Sequence, residues 1–323
     1  MYAAGWDFRQ IYVLDADSLN VIDSIPFRGS PLLMGVHPSG DYLHVWSDQF
    51  GDISHGTYVI STKTKQIVSA SDHDLGLPRF AKHGEYLVQT RSYEGGRFIR
   101  SYFCDPLTFV VLDSLPDSLQ YWDALNGAET ILVELRGKST FGLFDLNTGT
   151  LQESLYSPTV PGYPGSHPHV WFARVVPGGK QVVLITDASI EMGDLSSGET
   201  LIRVNNYGLG QIDVNSEGSY AVVSIPIQNA WTEASPTRLY LFDLRTPSLA
   251  KFLKGFSEDN DLECGGLCAF LPDGQRALVG ALDGFNYGPL QLFDVEAGTI
   301  TRWIDLPTED SDVRCFAVGR APR

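Results

Sequence analysis

The chain of 323 residues is poor in several things, and each shortage excludes a class of protein. No apolar run approaches 18 residues, so no membrane-spanning helix is expected. The first residues, Met1-Tyr2-Ala3-Ala4-Gly5-Trp6-Asp7, lack the basic and apolar regions of a signal peptide. That leaves a cytosolic protein or one whose export signal has been removed, and an extracytoplasmic bacterial protein is the favoured reading. Four cysteines, Cys104, Cys264, Cys268 and Cys315, are too few for a disulfide scaffold. In one extended strand Cys264 and Cys268 would stand about 13 Å apart, beyond disulfide reach. Buried free thiols are expected. No Asn-x-Ser/Thr sequon occurs.

Positive charge is also short: 23 Lys and Arg stand against 39 Asp and Glu, for a formal net charge of −16. That argues against a broad nucleic-acid or anionic-membrane surface, because like charges repel phosphate. Catalytic templates are missing too. There is no Gly-x-Ser-x-Gly elbow, no P-loop and no dinucleotide fingerprint. Gly208-Leu-Gly210 precedes a strand and reads as a turn. No Cys-x-x-Cys-His haem motif occurs, so any haem or quinone would sit on a partner chain. Helical 3.6-residue stripes are essentially absent.

What the chain does contain is a repeat. A short apolar alternation ending in Asp or a small polar residue recurs seven times: Ile11–Asp15, Thr57–Ser61, Arg100–Asp105, Phe141–Asp145, Ile190–Asp194, Leu239–Asp243 and Leu290–Asp294. Six intervals separate positions 15 and 294, about 46 residues each. A tight turn follows most copies, as in Leu146-Asn-Thr-Gly and Val295-Glu-Ala-Gly, and then a returning strand. Between copies lies a second unit, strand–Pro/Gly turn–strand, as in Cys268-Ala-Phe-Leu-Pro-Asp-Gly-Gln-Arg-Ala-Leu-Val279. Each period therefore holds four strands, A to D, the pattern of β-propeller blades. The chain starts on a B-like strand and stops after an A-like strand, Val313–Val318. Pairing these two would complete one blade and hide two sheet edges. The expectation is an all-β, seven-bladed propeller of 28 strands, one domain over residues 1–323.

The block Ile11–Ile25, running on to Val36–Val45, resembles the YVTN repeat family, as does Leu290–Ile300. That resemblance implies a seven-bladed propeller, in a group that includes surface-layer-type proteins and propeller subunits of quinoprotein amine dehydrogenases. The WD40 pattern is followed only in architecture: Trp-Asp occurs at Trp6-Asp7 and Trp122-Asp123, away from the ends of C strands.

A–B and C–D turns are short, whereas several B–C and D–A loops are long. Long loops on a rigid scaffold are where binding usually lies, so the B–C/D–A face is the expected functional face. His167 and His169, flanking Pro168, would enter an A strand near the channel mouth. They suit a transition metal, though no third ligand is placed by spacing, and a structural role is preferred. Asp259, Asp261 and Glu263 crowd one D–A loop, and oxygen clusters suit calcium. With Asp74 and Asp117 in equivalent loops they also read as a solvated acidic rim, the preferred reading. Trp231, Phe285 and Tyr287 are candidates for a sugar- or protein-binding platform, or for packing over the blade tops. The resulting reading is a non-catalytic module that binds a protein or small ligand on the long-loop face. The alternative is an enzyme, or an accessory subunit of an oxidoreductase, with its site at the channel mouth.

Overall fold

A computed structural model describes residues 1–5, 10–48, 55–72, 78–93, 98–124, 129–136, 138–152, 155–159, 168–205, 210–225, 238–254, 266–281, 290–304, 306–307 and 313–319. It contains seven four-stranded antiparallel sheets, the blades of a β-propeller. The first blade joins β1 (Tyr2–Gly5), β2 (Gln10–Leu14) and β3 (Val21–Pro26) to β28 (Val313–Ala317). The second runs β4 (Ser30–Val36), β5 (Tyr42–Asp48), β6 (Gly56–Ser61) and β7 (Ile67–Ser71). The third has β8 (Arg79–Ala81), β9 (Tyr86–Tyr93), β10 (Phe98–Cys104) and β11 (Val111–Ser114). The fourth has β12 (Leu119–Ala124), β13 (Thr130–Leu135), β14 (Thr140–Asp145) and β15 (Thr150–Leu151). The fifth has β16 (Val170–Val175), β17 (Gln181–Thr186), β18 (Ser189–Asp194) and β19 (Thr200–Asn205). The sixth has β20 (Gln211–Val214), β21 (Tyr220–Ile225), β22 (Arg238–Asp243) and β23 (Ser248–Lys254). The last has β24 (Gly266–Phe270), β25 (Arg276–Ala281), β26 (Leu290–Asp294) and β27 (Thr299–Ile304). Among the described residues the one helical piece is a 3₁₀ turn, Lys82–Gly84, and no helix is long and apolar enough to cross a membrane.

The repeat seen in the sequence is the third strand of each blade, and the structure shows why it ends in Asp. Asp15 Oδ1 accepts from the backbone N–H of Asp17 and Ser18, at 3.1 and 2.7 Å. Asp105, Asp145, Asp194 and Asp243 do the same for the residues two and three positions on. The carboxylate thus replaces the backbone partners that the C–D turn leaves open. These bonds hold the carboxyls of Asp105 and Asp145 below the usual range, with burial opposing. After Asp145, Asp194 and Asp294 the fourth residue is a glycine at positive φ, between 65° and 75° at Gly149, Gly198 and Gly298. Where Leu19 and Phe109 hold the same position, at 58° and 59°, the strained side chain is buried instead.

Contacts divide the chain into two compact units, Met1–Pro78 with Val222–Leu241 and Ala250–Arg323, and Arg79–Ala221 with Phe242–Leu249. In the first, β28 pairs antiparallel with β1, in the register Tyr2↔Ala317, Ala3↔Phe316 and Ala4↔Cys315. This is the closure expected from the strand order, and it buries Val313, Cys315 and Phe316. The core of this unit includes Ile11, Phe27, Leu43, Ile60, Leu278 and Leu290. In the second unit, two cores lie around Leu132, Phe141 and Tyr156, and around Val88, Phe103 and Ile131. Third strands such as β14 and β18 are buried along nearly their whole length. The fourth strands β3, β7 and β11 are exposed edges that still carry the β-branched residues strands favour. Cys104, Cys268 and Cys315 are buried and form no disulfide, and Cys264 lies outside the described residues.

Candidate binding site

Two first strands of the second unit, β12 and β16, carry a register shift, as β4 does in the first unit, whereas β8 pairs regularly with β9. The register of β12 on β13 shifts between Tyr121 and Asp123, and that of β16 on β17 between Val170 and Phe172. Each shift is a bulge, and the residues left out of the ladder are Trp122 and Trp171. Bulges re-aim side chains, and they concentrate near functional sites.

Trp122 turns inward. Its ring lies 5.9 Å from Phe141, and its Nε1 donates to Glu134 Oε2 at 2.9 Å. Glu134 is half-buried on β13. Burial raises its pKa, while the Trp122 hydrogen bond and the nearby His169 pull it back. Trp171 turns outward and is 43% exposed. The His169 ring, itself exposed, meets it edge-on at 4.3 Å. Leu119, Glu134, His169 and Val170 sit at the B–C or D–A ends of their strands, on the long-loop face. The arrangement combines an apolar indole, an imidazole with both donor and acceptor character, and a carboxylate oriented by an indole N–H. Such a surface stacks a flat ligand and hydrogen-bonds its edge.

Of the residues singled out in the sequence, His169 joins this cluster. Asp117 is exposed and tied to Arg100, whose Nε and Nη2 lie 2.7 Å from Oδ1. His167, Asp74, Trp231, Phe285, Tyr287, Asp259, Asp261 and Glu263 lie outside the described residues. Among the described residues no group of three or more His, Cys, Asp or Glu is placed to hold a metal. A His–Ser contact exists at His37 Nδ1 and Ser39 Oγ, 2.9 Å apart. Ser39 N–H also donates to that same nitrogen, and the Ser39 hydroxyl accepts from Asp41 N–H, so the pair caps a turn.

Glu134 and both tryptophans escaped sequence reasoning. Glu134 stands in the ordinary strand Thr130-Ile-Leu-Val-Glu-Leu135, and a bulge has no composition of its own. The available signal was a Trp in two successive A strands.

No protein-family model matches the chain, and no curated protein matches it in sequence. Its fold is similar to that of several solved structures. A functionally unknown protein from Desulfotomaculum acetoxidans aligns over 94% of both chains at 14% identity, with a TM-score of 0.58. Hydrazine synthase from Kuenenia stuttgartiensis aligns over 83% of this chain and 77% of its own at 15% identity, with a TM-score of 0.56. The dihydro-heme d1 dehydrogenase NirN, in complex with DHE, aligns over 94% of this chain and 72% of its own at 13% identity, with a TM-score of 0.51. At such identities the likeness is one of fold, and the fold these chains share is the β-propeller.

Proposed function

We propose that the chain is a non-catalytic binding module, a single propeller domain that takes its ligand on the B–C/D–A face, with Trp171, His169 and Glu134 forming part of the recognition surface. The observation that carries this reading is the pairing of an exposed, bulge-displaced Trp171 with His169. An indole held 43% open on an otherwise buried strand gives up hydrophobic burial unless a partner covers it. The ligand class that fits is one with an apolar face and polar edges: a pyranose ring, or a basic side chain of a partner protein laid on the indole. The acidic balance of the chain, −16, supports the second by attracting basic partners. The Asp-ended third strands support kinship with YVTN-repeat propellers.

Glycan and basic-peptide arrays probed with the purified chain test this. Binding should fall at least tenfold in Trp171→Ala and in His169→Ala. It should persist in Phe252→Ala, an aromatic equally exposed at 43% but on the outer strand β23. Binding unaffected by Trp171→Ala would overturn the assignment. The alternative, an accessory subunit of an oxidoreductase, rests on the same His169, and stoichiometric transition metal in purified protein would favour it.

A further inference from the structure

A second group of polar side chains lies deeper on the first strands of the second unit. Asp123, Arg174 and Asp213 are each the penultimate residue of their strands, β12, β16 and β20. These strands pack side by side, β8 on β12, β12 on β16 and β16 on β20, which brings the three charges and Arg79 of β8 together. Asp123 and Asp213 are 5% and 6% exposed. Arg174 Nη1 lies 2.5 Å from Asp123 Oδ1, and Arg174 Nε donates to the carbonyl of Ile212 at 3.2 Å. The other oxygen of Asp123 accepts from Val175 N–H at 3.1 Å. Both oxygens of Asp123 are therefore engaged. Burial disfavours the charge on Arg174, but Asp123 and Asp213 outweigh it and raise its pKa.

Arg79 is placed differently. Its Nη1 donates to the carbonyl of Trp122. Its guanidinium carbon lies 4.8 Å from the centre of the Phe172 ring, which the Arg174 guanidinium also faces at 5.5 Å. The Asp123 carboxylate is paired with Arg174 rather than with Arg79. Burial and the charge of Arg174 lower its pKa, with Tyr121 and Asp123 giving only partial compensation. A guanidinium carries five N–H donors in a rigid fork, and one is satisfied here by a neutral carbonyl. A charge taken this far out of water is costly without an anionic partner. The side chain is half-buried, and its Nε and Nη2 are not among the polar atoms sealed from solvent without a partner, so these donors can be reached.

We propose that Arg79, backed by Phe172 and fixed by the Trp122 carbonyl, is the anchor of a binding site for a small oxyanion, a carboxylate or phosphoryl group taken bidentately by its open fork. Planar guanidinium matches the two oxygens of either group, which is why arginine rather than lysine suits the position. Arg174 is the poorer anchor, because Asp123 and the Ile212 carbonyl take two of its five donors and Asp123 and Asp213 already offset its charge. Its guanidinium lies 5.5 Å from the centre of the same Phe172 ring. This site is independent of the surface around Trp171, and it does not depend on that reading.

Titration calorimetry of the full chain against inorganic phosphate and against succinate, in chloride at matched ionic strength, tests the proposal. Saturable binding of one equivalent of either anion is expected, and the anion that binds distinguishes a phosphoryl from a carboxylate ligand. Arg79→Gln should weaken binding at least tenfold, and Arg79→Lys should weaken it severalfold, since it keeps the charge but loses the fork. If Arg79→Gln fails to fold, Arg79→Lys carries the comparison. Absence of binding of both anions to the wild-type chain would overturn the proposal, as would wild-type affinity in the Lys variant. Phosphate also stabilises proteins by exclusion from their surface; a thermal shift of equal size in the wild type and in the variants would likewise count against a site.

Discussion

Replacing His44 by Gln removes an imidazole that is fully buried on β5, opposite Gly35 of β4 and Val59 of β6. Its ring stacks on that of His37 with centroids 6.4 Å apart. Burial, reinforced by His37, lowers the His44 pKa to about 3. In the unfolded chain it returns to about 6.5. Between these values the unfolded chain binds a proton that the folded protein refuses. Mass action then favours unfolding, so stability falls as pH drops from about 6.5 towards about 3, and the loss is complete below that. At pH 5 the unfolded pKa lies about 1.5 units above the pH, and at ~1.36 kcal/mol per unit the loss is about 2 kcal/mol. At pH 7 it is close to zero.

The assay is urea unfolding of wild type and His44→Gln at pH 7 and pH 5. Other groups titrate in this range, but they do so in both proteins and cancel in the comparison. The wild type should lose about 2 kcal/mol more than the variant on going from pH 7 to pH 5. The variant's absolute stability does not enter, so a packing cost of the substitution leaves the test intact. Equal losses in the two proteins, within about 0.5 kcal/mol, would refute the reasoning. They would mean that His44 takes up its proton in the folded state, through a local opening of the β4–β6 ladder.

Four other outcomes follow from the same geometry. Deleting residues 313–318 removes β28, strips β1 of its partner and exposes a sheet edge; aggregation or a large fall in Tm is expected, and a monomer of unchanged stability would refute the closure. Gly193→Ala places a Cβ 2.5 Å from the ring of buried Tyr156, whose hydroxyl donates to Glu191 at 2.7 Å; about 1–3 kcal/mol should be lost in denaturant unfolding, and a neutral effect would mean that the ring shifts freely. Asp123→Ala removes the ion-pair partner of half-buried Arg174 and leaves Asp213 as its remaining counter-charge, and about 1.5–3 kcal/mol should be lost by the same measurement; a loss below about 0.5 kcal/mol would show that water replaces the carboxylate. Neutralising Asp259, Asp261 and Glu263 to Asn, Asn and Gln should leave stability within about 0.5 kcal/mol if these carboxylates form a solvated rim; a calcium-dependent rise in wild-type Tm that the variant lacks would instead assign them to calcium.

The fold was legible because its signal is local and repeated. Ile11–Asp15 and its copies must alternate to sit in a blade, and they end in Asp, or in Ser at position 61, to cap the C–D turn, so both constraints are written within six residues. Closure was legible because a strand with no partner near it in sequence, Val313–Ala317, must find one elsewhere. The chemistry was less legible, because it depends on what stacks beside what. His169 and Asp117 stood out as loop residues, yet one meets Trp171 and the other is held by Arg100, and neither partner follows from spacing. Arg79, Asp123, Arg174 and Asp213 each read alone as a charge interrupting an apolar strand. They become a site only when four first strands, separated by about 45 residues each, are laid side by side. Even so, a trace was present. Three successive blades carry Asp, Arg and Asp at the penultimate position of the first strand, whereas Gly35 and Ala269 hold that position in β4 and β24. A charge at a position that is uncharged elsewhere in the repeat, with Phe80 in β8 and Phe316 in β28 as well, departs from the requirements of the scaffold. In a repeat protein such departures are the places to look for function, because the scaffold explains what the copies share and leaves unexplained what one copy has alone.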